Sequence, residues 1–204
     1  AYGGPRVHRM DPLYIGPTSK RASNQAPGPP EQPVRIFYHG GRTHAADQAW
    51  LNAVIAQVQA RRDNTVFEIF GDAATARLYA DIPRCRVVHR RAWSDYLTYA
   101  CGERLDIGLA PAVAGAYNAA RSFNKAYDIT RAGGAGIYAD VPSFREFVTH
   151  DQEGLLVAAT EPTAWVEAIL ALADDPERRR RLHATALDRC QAIHDREIAS
   201  PLIA

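Results

Sequence analysis

The run Tyr117-Asn-Ala-Ala-Arg121-Ser122-Phe-Asn-Lys125-Ala-Tyr-Asp128 brings two cations, a hydroxyl and a carboxylate into one short stretch. At about 100° of helix per residue, Arg121, Lys125 and Asp128 fall within roughly 60° of one another and form a single stripe. Asn118 is well suited to cap such a helix, which would put Arg121 in its first turn beside free backbone N–H groups and the positive end of the macrodipole. A cation there is unfavourable until an anion joins it, and free N–H groups suit phosphate, so the stripe could hold a diphosphate. The same residues also describe an exposed amphipathic helix whose Lys125 and Asp128 pair at i, i+3 spacing for a few tenths of a kcal/mol.

Two further loops carry anion-binding chemistry. In His39-Gly40-Gly41-Arg42-Thr43 the glycines allow close approach of backbone to a phosphate, and Arg42 could pair with it. The loop is neither a dinucleotide fingerprint nor a P-loop, and a tight turn ahead of a helix describes it equally well. His89-Arg90-Arg91-Ala-Trp93 could meet a base or a phosphate.

The elements that must position these loops alternate. Short β-type runs are predicted over Val34 to Tyr38, Thr65 to Phe70, Cys85 to Val88, Leu105 to Leu109, Gly136 to Ala139 and Leu155 to Val157, with helical patterns between them. That order implies an α/β fold, a Rossmann-like parallel sheet flanked by helices, whose ligands lie at the carboxyl ends of the strands. Helices are expected from Thr43 to Arg61, from Ala73 to Ala80, after a Ser94 cap toward Cys101, from Pro142, from Pro162 to Ala173, and from Pro176 to about His194. Gly133-Gly134 is expected to end the site helix by a left-handed C-cap. Residues 1–33, rich in Pro, Gly, Ser and Asn, read as a linker or interdomain arm; residues 34–195 read as the domain and 196–204 as a tail.

Composition narrows the function. Over 204 residues the formal net charge is +1, so nothing marks a general nucleic-acid or anionic-membrane surface and any anion site must be local. Cys85, Cys101 and Cys190 are odd in number and widely spaced, as expected of reduced, buried thiols. With no apolar run near the ~18 residues of a spanning helix and no signal-like start, a soluble chain is expected. No His/Asp/Glu cluster has metal-ligand spacing, so no metal is called for. Trp50, Trp93 and Trp165 are expected in the core. His44, His150, His183 and His194 show no pairing that suggests catalysis and are expected as surface or partly buried residues, Arg145 and Glu146 as outward charges, and Arg178 to Arg181 as a solvated face.

In series, Val34-Arg-Ile-Phe-Tyr-His-Gly-Gly41, Phe67-Glu-Ile-Phe-Gly71, Arg86-Val-Val-His89, Asp106-Ile-Gly-Leu-Ala-Pro111, the Asn118 to Asp128 run, Gly136-Ile-Tyr-Ala-Asp140 and Glu153-Gly-Leu-Leu-Val157 resemble the C-terminal, nucleotide-sugar-binding half of GT-B glycosyltransferases, in particular the bacterial group 1 retaining enzymes. The resemblance covers about Val34 to Ala192. It implies one half of a GT-B architecture, with a nucleoside-diphosphate sugar as donor substrate, no cofactor, and a role in building polysaccharide or glycoconjugate. Carried over by position, Arg121 and Lys125 would stabilise the leaving diphosphate catalytically, Asp128 would bind the ribose, and Gly40, Gly41, Arg42, His89, Asn118 and Ser122 would assist in binding.

Two departures stand out. The family commonly places glutamates eight positions apart here, whereas this chain has Asp128 and Ala120. A GT-B enzyme also needs an acceptor domain upstream, which the residues before Val34 cannot supply. The chain begins at Ala1, and a fragment or standalone donor half, completed by an N-terminal domain or partner chain, is therefore expected. Such a protein would be cytoplasmic, at the inner face of the membrane if the absent half attaches there. A non-catalytic nucleotide-binding module is the alternative, and a nucleotide-sugar epimerase a third reading.

Overall fold

Six strands lie parallel in one sheet in the order β3-β2-β1-β4-β5-β6: β1 (Val34–Tyr38), β2 (Thr65–Gly71), β3 (Cys85–His89), β4 (Ile107–Ala110), β5 (Ala135–Ala139) and β6 (Gly154–Val157). The computed structural model describes Tyr14 and residues 32–40, 44–89, 91–113 and 122–199. Strands β4 and β5 are buried along their whole length and edge strand β3 is only partly covered, which is why the central strands read as continuous apolar runs. The strand order reverses between β1 and β4, so the carboxyl ends of these two strands open a crevice at the topological switch point.

Helices α1 (Ala45–Arg61), α2 (Ala73–Leu78) and α6 (Pro162–Asp174) cover one face. Helices α3 (Trp93–Gly102), α4 (Asn124–Arg131) and α7 (Pro176–Ile198) cover the other, and the single turn α5 (Pro142–Arg145) follows β5. On α1, Leu51, Val54, Ile55 and Val58 form the fully buried stripe that their 3.6-residue spacing dictates. Trp165 on α6 is fully buried and meets Trp50 edge to face at 5.3 Å.

Helix α4 ends as expected. Gly133 has φ 88°, its N–H reaches the Thr130 carbonyl at 3.0 Å, and the Gly134 N–H reaches that of Ile129 at 3.1 Å, a Schellman cap. The helix can settle on β4 because Gly108 has no side chain: a methyl there would lie 2.6 Å from Ile129 and 2.9 Å from the Phe37 ring. Gly108→Ala is therefore expected to cost about 1–3 kcal/mol by overpacking. A differential scan reads this as a fall of several degrees in Tm, and an unchanged Tm would show that the α4–β4 contact is not close-packed.

Some local expectations are corrected. Helix α3 begins at Trp93 with Ala92 as N-cap, not at a Ser94 cap, because Trp93 stacks on Tyr96 at 5.5 Å and joins the first turn. Trp93 itself is 58% exposed, not a core residue. Helix α7 continues to Ile198, past residue 195. The arginine run is not merely solvated: Arg178 and Arg181 hold the Asp151 carboxylate, while Arg179 donates to the Leu172 and Ala173 carbonyls at the end of α6. Arg145 and Glu146 are exposed as expected. Burial pushes the thiols of Cys85 and Cys190 up to about 12, which suits inert packing residues.

Candidate functional site

The helix bearing Lys125 and Asp128 starts at Asn124, with Phe123 at its N-cap, so it does not run unbroken from Asn118. Burial fixes this start: Phe123 is 2% exposed and packs on Tyr127 and Phe147, each at 5.5 Å. Lys125 consequently occupies the first turn of α4, the place the continuous-helix expectation gave to Arg121. From there its ammonium crosses the switch-point crevice and donates to the His39 carbonyl at the end of β1. It also pairs with Asp128, with Nζ 3.5 Å from Oδ2. The second Asp128 oxygen accepts from Arg131 at 3.2 Å. The intrahelical pair thus forms, and Lys125 reaches the end of β1 as well.

Buried Arg131 is in turn sandwiched between aromatic faces, 5.0 Å from the Tyr14 ring and 5.5 Å from that of Trp93. Tyr14 is 7% exposed and packs edge to face on Tyr127, so this residue of the predicted arm is seated on the helix of the site.

His39 is anchored from below. Its ring stacks on Phe70 at 3.9 Å, with Nε2 3.0 Å from Glu68 Oε1 and Nδ1 3.4 Å from the Tyr96 hydroxyl. Burial lowers the imidazole below its ordinary value despite the pull of Glu68, so at neutral pH Nε2–H donates to the carboxylate and Nδ1 accepts from Tyr96. Glu68 is 1% exposed in β2. Burial alone would raise its pKa, but hydrogen bonds from His39, Tyr99 and Arg86 bring it down to about 2. Arg35 adds a further contact at 3.1 Å.

On the opposite face, Asp47 in the first turn of α1 is equally buried. Its Oδ1 accepts the Val113 N–H at 3.0 Å, and its Oδ2 lies 3.1 Å from His44 Nδ1 and 3.4 Å from the Tyr38 hydroxyl. His44 is thus buried and carboxylate-paired, not the surface or partly buried residue expected. His183 is buried too, bonded to the Thr130 carbonyl on α4 at 3.0 Å.

The structure therefore brings Gly40, Lys125 and Asp128 to one crevice. Gly40 is needed there, because a methyl would sit 2.7 Å from the Tyr38 ring. Ser122 is exposed just ahead of α4 and outside the helix. His89 pairs with Gly71 on the far side of β2 and is separated from the β1–β4 crevice by β2 itself. Gly41, Arg42, Asn118 and Arg121 lie outside the described residues. Sequence reasoning passed over Glu68 and Asp47. A carboxylate inside an apolar strand run is a signal for the first, and the i, i+3 spacing of His44 and Asp47 for the second. Among the described residues no three His, Cys, Asp or Glu side chains are grouped to hold a metal ion, and no helix is long and apolar enough to cross a membrane.

Fold and site together define a doubly wound α/β domain with the Lys125 ammonium at the crevice of its switch point. Residues 33–175 match the family model described as glycosyl transferases group 1, and the chain belongs to that family. No curated protein matches it in sequence. Among solved structures, sucrose-phosphate synthase from Thermosynechococcus elongatus is similar at 18% identity and TM-score 0.67, over 93% of this chain and 48% of that one. The Anabaena protein HepE, solved with UDP and glucose, is similar at 14% identity and TM-score 0.64, over 81% of this chain and 47% of that one. The C-terminal domain of the group 1 glycosyl transferase LpcC from Francisella tularensis is similar at 13% identity and TM-score 0.57, over 86% and 97% respectively. The chain thus spans about half the length of the first two and nearly all of the isolated C-terminal domain. These neighbours share the GT-B glycosyltransferase fold of this half.

Proposed function

We propose that the chain is the donor-binding half of a retaining glycosyltransferase, which moves a sugar from a nucleoside-diphosphate sugar to a glycan or glycoconjugate acceptor in polysaccharide synthesis. The observation that carries this reading is the Lys125 ammonium in the first turn of α4, spanning the switch-point crevice to the His39 carbonyl. A diphosphate entering there competes with Asp128, whose 3.5 Å pairing is longer than a close hydrogen bond, for the same ammonium. As the glycosidic bond to phosphate breaks, negative charge grows on the leaving oxygens, and a fixed cation stabilises that state more than the bound donor. Lys125 takes this role together with Arg121; Gly40, Gly41 and Arg42 cradle the phosphates, and Asn118 and Ser122 assist in binding. Asp128, freed from the lysine, is the ribose acceptor, and His89 lies on the base side. The acceptor site belongs to an N-terminal domain or partner chain, and the reaction is placed in the cytoplasm, at the inner membrane face where that other half attaches.

Family membership and the HepE complex with UDP support this reading. Isothermal calorimetry with UDP, GDP and their hexose conjugates tests it. Micromolar to submillimolar binding of one nucleoside diphosphate with a stoichiometry near one is expected, as for a preformed anion site. Absence of binding to every nucleoside diphosphate would refute it.

A further inference from the structure

Beyond the cations that face a donor, the structure contains a device that joins the two walls of the crevice. The walls are the segments after β1 and β4, strands that pair side by side although Ile36 and Ile107 are far apart in the chain. A single carboxylate ties them: Asp47 accepts the Val113 N–H just beyond β4, while its other oxygen holds His44 at the N-cap of α1 and meets the hydroxyl of Tyr38, the last residue of β1. The Tyr38 ring in turn lies against Gly40, so its position sets the backbone of the turn leaving β1. The carboxylate is 2% exposed, so water cannot readily replace these bonds.

We propose that Asp47 is a positioning residue that latches the β1-end turn to the β4-end loop and so holds the crevice at the width a diphosphate requires. Its consequence for binding rests on the donor reading above, whereas its structural part does not. Neutral aspartate isosteres separate geometry from charge: asparagine can still accept the Val113 N–H and present an amide N–H to His44 Nδ1, whereas alanine keeps neither contact.

Amide hydrogen exchange and UDP or GDP calorimetry on the full chain test the latch with Asp47→Ala, Asp47→Asn and Lys125→Ala. In Asp47→Ala the Val113 amide should exchange roughly tenfold or more faster while the amides of β2 and β5 keep their protection, and nucleoside-diphosphate affinity should fall roughly tenfold. Asp47→Asn should restore most of both. Lys125→Ala should lose affinity with Val113 exchange unchanged. Unchanged Val113 exchange in Asp47→Ala overturns the latch, as does undiminished affinity where the wild type binds. Loss of protection across the whole sheet in both Asp47 variants assigns the residue to global stability and likewise overturns it. If the wild type binds no nucleoside diphosphate, the donor reading fails, and the exchange result still decides the latch.

Discussion

Lys125→Ala is expected to reduce nucleoside-diphosphate affinity by roughly 10- to 100-fold, the worth of one charge-assisted contact in a shielded crevice. The side chain is 16% exposed and its ammonium is held between the His39 carbonyl and Asp128, so it is already ordered and loses little rotamer freedom when a phosphate arrives. Removing it also leaves Asp128 as a carboxylate facing the phosphates, which adds repulsion to the lost attraction. Lys125→Met keeps the apolar stem and separates packing from charge, and should lose nearly as much. Lys125→Arg should recover only part, because a planar guanidinium does not reproduce a compact ammonium that must reach a backbone carbonyl. Where donor turnover is measurable, the effect should be larger, roughly 10²- to 10³-fold, because charge develops on the phosphate during the reaction. Calorimetry of the three variants, with thermal melts to confirm folding, decides this; equal affinity in wild type and Lys125→Ala would remove the lysine from the site.

Glu68→Ala should produce the largest loss of stability, on the order of 3–5 kcal/mol, because it removes one buried carboxylate that serves several donors at once and leaves the His39 ring N–H buried without its acceptor. The carboxylate accepts from His39, Tyr99, Arg35 and Arg86, and Arg35 also binds Glu103 at 2.6 Å. In a domain of this size such a loss lowers Tm by ~10 °C or more. The effect reaches the site because Glu68 orients His39, whose carbonyl receives Lys125. Acid should act through the same group. The folded pKa of Glu68, about 2, lies below its ordinary 4.5, so the stability it contributes is fully present above pH 4.5 and is lost as pH falls from there toward 2. His183 and His39 act earlier: burial holds both imidazoles below the ordinary 6.5, the unfolded chain takes up protons first, and stability falls as pH drops through and below 6.5. Urea midpoints measured at pH 7, 5 and 3 should decline in two stages, and Glu68→Gln should flatten the lower one. A Glu68→Gln curve parallel to wild type down to pH 3 would sink the account.

Much of the scaffold was legible because its determinants are local. Val34 to Tyr38 forms β1 with the predicted bounds, and the β4 and β5 runs were found because strands buried on both faces must be apolar at every position. The Gly133-Gly134 stop was readable because a positive φ selects glycine. Lys125 and Asp128 were legible as a pair because they share one helix face. The start of that helix was misplaced, since Asn118 satisfies the capping rule but burial of Phe123 against Phe147 sets where α4 begins. Trp93 was misjudged for a related reason: an aromatic at a helix start is expected in the core, yet here it stays 58% exposed while touching Tyr96 and Arg131.

By itself the sequence determined the class of fold, the order of its elements and the residue types able to meet a diphosphate, because periodicity, turn chemistry and i, i+3 spacing are properties of neighbouring residues. Only the tertiary structure decided that β4 lies beside β1, and with that adjacency came the Lys125 contact to His39 and the Asp47 contact to Val113. Pairing between strands far apart in the chain depends on how whole helices pack against the sheet, and no local pattern records which buried carboxylate will face which donor across that gap.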